Sequence, residues 1–213
     1  MTKAKDDDRI LIEKGLLLPL VEEFYTLQGE GFHTGKAAYF IRLGGCDISC
    51  NWCDTKFSWE ASLHPLVKIN DIIKKALKCN AKSIVITGGE PSQYNLSPLC
   101  SELKKNSFEI FIETSGTFKL SGQFDWICLS PKKHKPPLTE YYSIANELKV
   151  IIYDNSDFEW AQINAAKVNN NCHLFLQPEW SRYKTIINEI VEFIKLNPQW
   201  RISLQSHKFM NIP

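Results

Sequence analysis

Short apolar runs rich in β-branched and aromatic residues recur along the chain, and such runs are typical of strands that are buried on both faces. The runs cover residues 38–43, 83–87, 108–112, 124–129, 147–153, 173–176 and 201–204. Between several of them, apolar residues repeat with the period of an amphipathic helix. This helical pattern is strong at residues 69–77 and 183–196 and weaker at 96–103 and 158–168, where Asp157 is a candidate N-cap.

Strands that alternate with helical crossovers are expected to be parallel and to have right-handed connections. The helical segments are too few for a complete eight-unit barrel. We therefore predict an α/β fold, a partial and open parallel β/α barrel of about six strands. Residues 1–22 are predicted to be a charged leader and N-terminal segment, in which residues 3–9 are solvated and can be disordered, and residues 23–213 to be a single domain.

Charge and composition narrow the kind of partner. The 213 residues carry 25 Lys and Arg against 24 Asp and Glu, which gives a formal net charge of +1. The lysines are scattered among acids and form no basic stripe, so we expect no nucleic-acid partner and favour a small molecule. The apolar run at residues 16–21 is too short to span a bilayer and contains Pro19, so we expect no membrane association either.

The chain has seven cysteines, an odd number, and its start lacks the pattern of a secretory signal. Both features favour the reducing cytoplasm over a disulfide-bonded, secreted protein. Four of the cysteines lie in apolar, strand-like or helix-like settings and are predicted to be small core residues: Cys79, Cys100, Cys128 and Cys172.

The other three cysteines, Cys46, Cys50 and Cys53, are spaced as C-x3-C-x2-C. Three thiolates at this spacing suit three corners of a cubane iron-sulfur cluster and leave the fourth iron for a small molecule. Two alternatives remain open from the spacing alone. One is a zinc knuckle completed by His33 or Asp54, and the other is a chance cluster of thiols.

Polar residues collect just beyond the carboxyl ends of the predicted strands. In parallel barrels the loops at that end converge on one mouth and form the active site. The cysteine loop follows the first predicted strand, and later strands are followed by Thr87-Gly88-Gly89-Glu90, Glu113-Thr114-Ser115, Ser130-Pro131-Lys132, Gln177-Pro178 and Gln205-Ser206-His207. We therefore predict one site at this edge of the sheet, although any single cluster also suits a turn or a cap.

The order of the cysteine triplet, an apolar segment and Gly88-Gly89-Glu90-Pro91 resembles the radical S-adenosylmethionine (SAM) superfamily. The resemblance implies that the three cysteines bind a [4Fe-4S] cluster whose unique iron is chelated by SAM. Trp52 is expected to shield the cluster and tune its potential. The residues expected to bind SAM are Trp52, Gly88, Gly89, Glu90, Glu113, Thr114, Ser115, Ser130, Lys132 and Gln177.

Further motifs resemble one family within that superfamily, the 7-carboxy-7-deazaguanine synthases. They are Gln28-Gly29-Glu30-Gly31, Phe40-Ile41-Arg42-Leu43-Gly44-Gly45-Cys46, Cys53-Asp54-Thr55 and the tail from Gln205-Ser206-His207-Lys208 to Pro213. The resemblance implies 6-carboxy-5,6,7,8-tetrahydropterin as substrate and Mg²⁺ bound by Thr55. Substrate contacts are then expected from Leu27, Gln28, Gly29, Glu30, Arg42, Asp54, Thr87, His207 and Pro213.

The reaction implied by this resemblance is a radical ring contraction that releases ammonia and regenerates SAM. It also implies an electron donor such as a flavodoxin, and a homodimer. No residue is assigned as the general acid or base for ammonia loss. Two rival hypotheses are another radical SAM enzyme, such as a glycyl-radical activase, and a non-catalytic zinc or iron-sulfur binding module.

Overall fold

The computed structural model describes residues 3–213, with side-chain burial described from Asp6 onward. Within these residues, nine strands form one sheet in the order β3-β1-β2-β4-β5-β6-β7-β8-β9. Their bounds are β1 Leu17–Leu27, β2 Ala37–Leu43, β3 Leu66–Lys68, β4 Ser83–Gly88, β5 Glu109–Thr114, β6 Trp126–Leu129, β7 Glu147–Ile152, β8 His173–Pro178 and β9 Trp200–Ile202.

Each predicted strand is present, and the seven strands β2 and β4 to β9 pair with one another in parallel. Two more strands were not predicted: β1 pairs antiparallel with β2, and β3 pairs antiparallel with β1. Because β3 and β9 are the two edges of the sheet, the barrel is open. The predicted α/β partial barrel is therefore confirmed, with one more parallel strand than the predicted count.

The helices are α1 Lys3–Glu13, α2 Ile69–Ala76, α3 Ser97–Lys105, α4 Glu140–Ile144, α5 Ser156–Ala165, α6 Tyr183–Leu196 and α7 Ser206–Met210. The predicted helices correspond to α2, α3, α5 and α6. Asp157 is not an N-cap, because α5 already begins at Ser156. Its carboxylate instead accepts hydrogen bonds from the backbone N–H groups of Tyr153 and Asp154, at 2.8 and 3.0 Å.

The start of the chain differs from its prediction. Residues 3–9 belong to helix α1, where Arg9 pairs with Glu13 one turn later, so disorder is wrong for this segment. Met1 and Thr2 of the predicted leader lie outside the described residues. The predicted boundary after residue 22 falls within β1, and the division into leader and domain stays a prediction. Within residues 3–213, no helix has both the length and the apolarity needed to cross a membrane.

Both faces of the central parallel strands are buried. The outward face packs against the helices in the main hydrophobic core. The inward face carries a layer of apolar side chains in register across five strands: Phe24, Phe40, Val85, Phe111 and Trp126. This layer lies toward the amino ends of the parallel strands, and Phe32 and His33 stack against it. We call this region the closed end, and the carboxyl ends of the parallel strands the open end.

Candidate active site

A cavity of ≈ 530 Å³ lies at the open end, within the size range of small-molecule sites. Its lining includes every residue that the sequence analysis assigned to the cluster, to SAM, to Mg²⁺ or to the substrate. They come from the carboxyl ends of β1, β2, β4, β5 and β8, from the turn or loop that follows β1, β2, β4, β5 and β6, and from the C-terminal tail. The predicted convergence on one mouth is thus observed, while the role of each residue stays a prediction.

The cysteine loop after β2 is fixed by backbone hydrogen bonds to the segment that follows it. The N–H of Gly45 donates to the carbonyl of Ser58 at 2.7 Å, and the N–H of Cys46 donates to that of Trp59 at 2.9 Å. On the opposite side, a ring nitrogen of His134 lies 2.6 Å from the carbonyl oxygen of Ile48. These contacts place the cysteines on one wall of the cavity, which we call the cysteine wall.

The chemistry of the cysteine wall suits a [4Fe-4S] cluster. Cys46, Cys50 and Cys53 are all free thiols, and burial raises the pKa of Cys46 and of Cys50. Binding to iron offsets that cost, since a metal takes the thiolate form. The indole N–H of Trp59, which also lines the cavity, is buried and has no acceptor among the described residues.

A zinc knuckle completed by His33 is wrong. His33 lies at the closed end, where its ring stacks on Phe111 with 4.3 Å between centroids and meets Trp126 edge-on at 4.5 Å. Asp54, the other candidate ligand, accepts hydrogen bonds from Lys208 and Gln205. Among residues 3–213, no three His, Cys, Asp or Glu side chains are arranged to hold a single metal ion.

Gly88 and Gly89 permit close packing against the cysteine loop. A Cβ on Gly88 would lie 2.1 Å from the carbonyl oxygen of Leu43, and a Cβ on Gly89 would lie 2.1 Å from that of Gly45. The backbone φ of Gly88 is +139°, which side chains rarely adopt. The N–H groups of Gly89 and Glu90 donate to the same two carbonyls, at 2.9 and 2.8 Å. The glycines therefore have a structural function beside their predicted contact with SAM.

Glu90 joins the ends of β4 and β5. Glu90 is 2% exposed, and its carboxylate accepts hydrogen bonds from Ser92, Thr114 and Ser115. The hydroxyl groups of Thr114 and Ser115, predicted to contact SAM, thus donate to Glu90 at 2.5 Å each. A carboxylate with this many protein donors is an anchor for the loop backbone. The SAM contacts predicted for these residues remain predictions.

Lys132 lies beside the cysteine wall. Its ammonium donates to the carbonyl and hydroxyl oxygens of Ser130, at 2.5 and 2.8 Å, and lies 5.6 Å from the centroid of the Trp52 ring. Burial lowers the pKa of Lys132, so an anionic ligand at this position would stabilise the ammonium. These surroundings fit the predicted contact of Lys132 with SAM, which carries a carboxylate, and that contact remains a prediction.

Another wall of the cavity carries two linked ion pairs, in which Lys149 is buried and both carboxylates are half-buried. The Lys149 ammonium donates to Glu30 Oε2 and to Glu113 Oε2, at 2.7 Å in both cases. The amide of Gln205 donates to Glu30 Oε1 at 2.9 Å, and the amide of Gln28 donates to Glu113 Oε1 at 3.1 Å. We call Glu30, Lys149 and Glu113 with these two amides the charged wall.

Electrostatics fix the charge states within the charged wall. Burial alone would raise the pKa of Glu30, but the ammonium of Lys149 and its hydrogen bond lower it to about 2. Burial would likewise lower the pKa of Lys149, yet the surrounding anionic groups, with Glu113 and Glu30 among them, hold it well above its ordinary value. The pair is therefore ionised at neutral pH.

The C-terminal tail closes one side of the cavity. Lys208 and Gln205 donate to Asp54 Oδ2 at 2.8 and 3.0 Å, and the contact with Lys208 helps to lower the pKa of Asp54 despite its burial. His207 packs so closely on the turn after β1 that a Cβ on Gly29 would lie 2.2 Å from its Nδ1. Pro213, the last residue, reaches the cavity lining.

Three predicted residues make contacts that bear on their roles. Arg42 Nε donates to Glu22 Oε1 at 2.7 Å, as expected for partners opposite each other on β1 and β2. Thr55 Oγ1 lies 3.5 Å from Cys53 Sγ, beside the cysteine wall. Gln177 accepts a hydrogen bond from the Ser203 hydroxyl at 2.7 Å and lies near Glu30, so it lines the cavity beside the charged wall.

Comparison with known proteins agrees with this geometry. Residues 27–170 match the family model of a 4Fe-4S single cluster domain. The chain is 55% identical over 205 residues to a 7-carboxy-7-deazaguanine synthase of Flavobacterium psychrophilum, an alignment that covers 96% of this chain and 97% of that protein. The chain is also 45% identical to a 7-carboxy-7-deazaguanine synthase of Synechocystis, over 91% of this chain and 93% of the relative. The chain belongs to the 7-carboxy-7-deazaguanine synthase family.

A solved structure agrees with this family membership. The crystal structure of QueE from Escherichia coli superimposes with a TM-score of 0.80 at 31% identity, over 94% of this chain and 99% of that one. As a member of the 7-carboxy-7-deazaguanine synthase family, the chain is an enzyme of the lyase type, and its cofactors are a [4Fe-4S] cluster and SAM. The rival hypotheses of a glycyl-radical activase and a non-catalytic binding module are not supported.

Several residues that line the cavity were not among the predicted site residues of this 7-carboxy-7-deazaguanine synthase family member. The chief ones are Lys149, Gln205, Lys208 and Trp180. Lys149 had a detectable signal, because it is a lone cation in the apolar strand β7 and lysines are rarely buried without a partner. Gln205 and Lys208 lie in the tail motif but were not assigned a role. Trp180 has no comparable signal in the sequence.

Proposed function

We propose that the chain converts 6-carboxy-5,6,7,8-tetrahydropterin into 7-carboxy-7-deazaguanine and ammonia. The observation that carries this proposal is the union of two chemically different walls around one cavity. The cysteine wall suits a cofactor that generates radicals, and the charged wall suits a polar heterocycle. A radical reaction requires the two to share one chamber, so that the reacting atoms are held together and water is excluded.

Cys46, Cys50 and Cys53 would hold the cluster, with SAM beside them against the loops after β4, β5 and β6. When bound, the cluster and SAM supply the hydrogen-atom abstraction that starts the ring contraction. The protein limits access to this chemistry: Trp52 and Trp59 line the cavity next to the cysteines, and their indole rings reduce the space for water there.

Glu30 would recognise the guanidine-like edge of the pterin. Its pKa of about 2 keeps it a carboxylate, which accepts hydrogen bonds from N–H donors more strongly than a neutral group does. Each carboxylate oxygen can accept two hydrogen bonds. Lys149 and Gln205 use one position on each oxygen, so Glu30 retains acceptor capacity for the N–H groups of a substrate edge.

The carboxylate of the substrate needs a cation. Arg42 lines the cavity, and its contact with Glu22 uses one of its five N–H donors. His207, on α7, also lines the cavity and could contribute a further N–H donor. Thr55 is proposed as the protein ligand of Mg²⁺, since a hydroxyl oxygen beside the Asp54 carboxylate suits this hard cation, which commonly takes its other ligands from substrate and water.

Three wider properties belong to the same proposal. Radical SAM chemistry needs a one-electron reductant, for which a flavodoxin is a suitable class of donor. A homodimer is the state expected from the family resemblance. A cytoplasmic location is supported by the seven free cysteines of the chain and by the oxygen sensitivity expected of a cluster with an open iron.

An anaerobic assay tests the proposed function. The reconstituted protein is mixed with SAM, dithionite, Mg²⁺ and 6-carboxytetrahydropterin, and both the product and SAM are followed by mass spectrometry. We expect many equivalents of 7-carboxy-7-deazaguanine per protein while SAM is largely retained, and none when dithionite is omitted. SAM cleavage without any deazapurine would contradict the assigned substrate.

A further inference from the structure

Lys149 joins two carboxylates that come from distant parts of the sequence. It lies in β7 with its side chain directed into the barrel, and the residue is 4% exposed. Glu30 comes from the turn after β1 and Glu113 from β5, and both contact the same ammonium at 2.7 Å. The ammonium therefore fixes the position of Glu30 relative to the sheet.

Other charged groups also face this site. Glu147 lies on the same face of β7, toward the closed end, and Cys128 faces Lys149 from β6. Asp54, His207 and Lys208 face Glu30 from the cysteine loop and α7. Lys208 is bound to Asp54, so among the described side chains Lys149 is the ammonium in direct contact with Glu30.

We propose that Lys149 is a positioning residue for the reaction, whose ammonium keeps Glu30 ionised and oriented to accept N–H donors from the substrate. This role deepens the proposed function and rests on it as far as the substrate is concerned. The ion pair with Glu30 is a property of the protein itself and can be measured without turnover.

The same geometry argues against Lys149 as the proton donor for ammonia loss. A general acid works best when its pKa is near the operating pH. The surrounding anionic groups hold the pKa of Lys149 well above its ordinary value, so the ammonium retains its proton. Two of its three N–H donors are already bound to carboxylates. Lys149 therefore acts through Glu30.

Removal of the ammonium leaves two half-buried carboxylates close together. Burial and like charge then both favour protonation of one of them. A protonated Glu30 presents an O–H group toward the substrate edge and loses one acceptor position. The Lys149→Gln variant should therefore bind substrate well only at high pH, where Glu30 ionises, whereas Lys149→Arg keeps the positive charge.

Infrared titration of the reconstituted protein tests the ion pair directly. The carboxylic acid band of Glu30, assigned by difference from Glu30→Gln, should be absent from wild-type protein between pH 5 and 8 and present in Lys149→Gln at the lower end of that range. A Glu30 acid band in wild-type protein at pH 5 would overturn the proposal, and this arm requires only the wild-type protein and Glu30→Gln. Two double variants identify the group that gives the new band. The proposal also fails if the band is lost when Glu113→Gln is added to Lys149→Gln and is kept when Glu30→Gln is added instead.

Kinetics test the consequence for the reaction. For Lys149→Gln we expect KM to rise on the order of 10–100-fold at pH 6, the cost of a charged hydrogen bond, and to recover as the pH rises. Lys149→Arg should retain most of the wild-type profile. Lys36→Met removes an exposed ion pair with Glu109 at the closed end and is the matched control, with an unchanged profile. A pH-independent KM near the wild-type value in Lys149→Gln would overturn the role of Lys149, whereas a wild-type protein that forms no product would instead contradict the proposed function.

Discussion

Glu147 and Lys149 lie two positions apart on β7, point into the same barrel and are 3% and 4% exposed, yet their surroundings differ. Lys149 meets two carboxylates at the open end. Glu147 faces the closed end, where its Oε2 accepts from the N–H of Phe32 and the indole of Trp126, at 3.2 and 3.0 Å. Its Oε1 has no partner among the described residues.

The difference shows what a buried charge requires. Burial raises the pKa of Glu147 to about 7 even though the Lys149 charge opposes the shift, so Glu147 is partly neutral at physiological pH. Lys149 and Glu30 remain charged because each has an opposite charge in hydrogen-bond contact. The barrel interior therefore concentrates permanent charge at the open end, where the cavity and the cysteine loop also lie.

The largest effect on activity is expected from a substitution that removes the cluster at the open end. Cys50→Ala removes one of three thiolates of the cysteine wall and should lower the iron and sulfide content and reduce turnover by at least about a thousandfold, because the cofactor carries the chemistry. The measurements are metal analysis, visible absorbance and product formation. Cys79→Ala, outside the cavity, is the matched control and should retain all three properties. A Cys50→Ala protein with a full cluster and normal turnover would refute the assignment of this wall.

A second effect is expected at the closed end and concerns stability. The pKa of Glu147 is near 4.5 in the unfolded chain and is raised to about 7 in the folded protein. Its contribution to the free energy of unfolding is therefore fully present below pH 4.5 and is lost as the pH rises through about 7. Relative to wild-type protein, Glu147→Gln should therefore gain stability between pH 5 and 8, by up to about 3 kcal/mol.

Denaturant unfolding at several pH values measures this gain. Glu109→Gln is the control, because Glu109 is exposed and its hydrogen bond to Lys36 lowers its pKa. Its effect on stability should not change between pH 6 and 8. A constant difference between Glu147→Gln and wild-type protein over the same range would mean that Glu147 is ionised throughout.

A smaller effect is expected from Arg42, on the β2 side of the cavity. Arg42→Ala should raise the dissociation constant of the pterin substrate about 10–100-fold, the cost of a charged hydrogen bond, and leave the cluster absorbance unchanged. An anaerobic binding titration measures it, with Arg201→Ala, an exposed arginine on β9, as the control. Loss of the cluster absorbance in Arg42→Ala would show that Arg42 has a structural role instead.

Much of the barrel was predictable because parallel strands are buried on both faces and therefore appear as apolar runs. The strands that were missed follow other rules. β3 has only three residues, and β1 was interrupted in the pattern by Pro19 and by acids such as Glu22 and Glu23 that face neighbouring lysine and arginine side chains. Helix α1 was missed because its charged sequence resembles a solvated leader.

The candidate site was likewise predictable only in part. The cysteine spacing and the tail motif are local in sequence, so they identified the cavity lining well. The charged wall depends on contacts between residues as far apart as Glu30 and Lys149, and only the register of the barrel brings them together. The anchoring of Thr114 and Ser115 by Glu90 was likewise hidden, because a hydroxyl near a ligand and a hydroxyl bound to a carboxylate look identical in the sequence.

Substrate binding by Glu30→Gln and Glu147→Gln, which make the same change at the two ends of the barrel, tests whether the substrate binds at the charged wall. In anaerobic titrations of the cluster-loaded proteins with SAM and 6-carboxytetrahydropterin, we expect a dissociation constant raised about 10–100-fold in Glu30→Gln and unchanged in Glu147→Gln. Unaltered binding by Glu30→Gln, or weakened binding in Glu147→Gln alone, would contradict the assignment of the substrate to the charged wall at the open end.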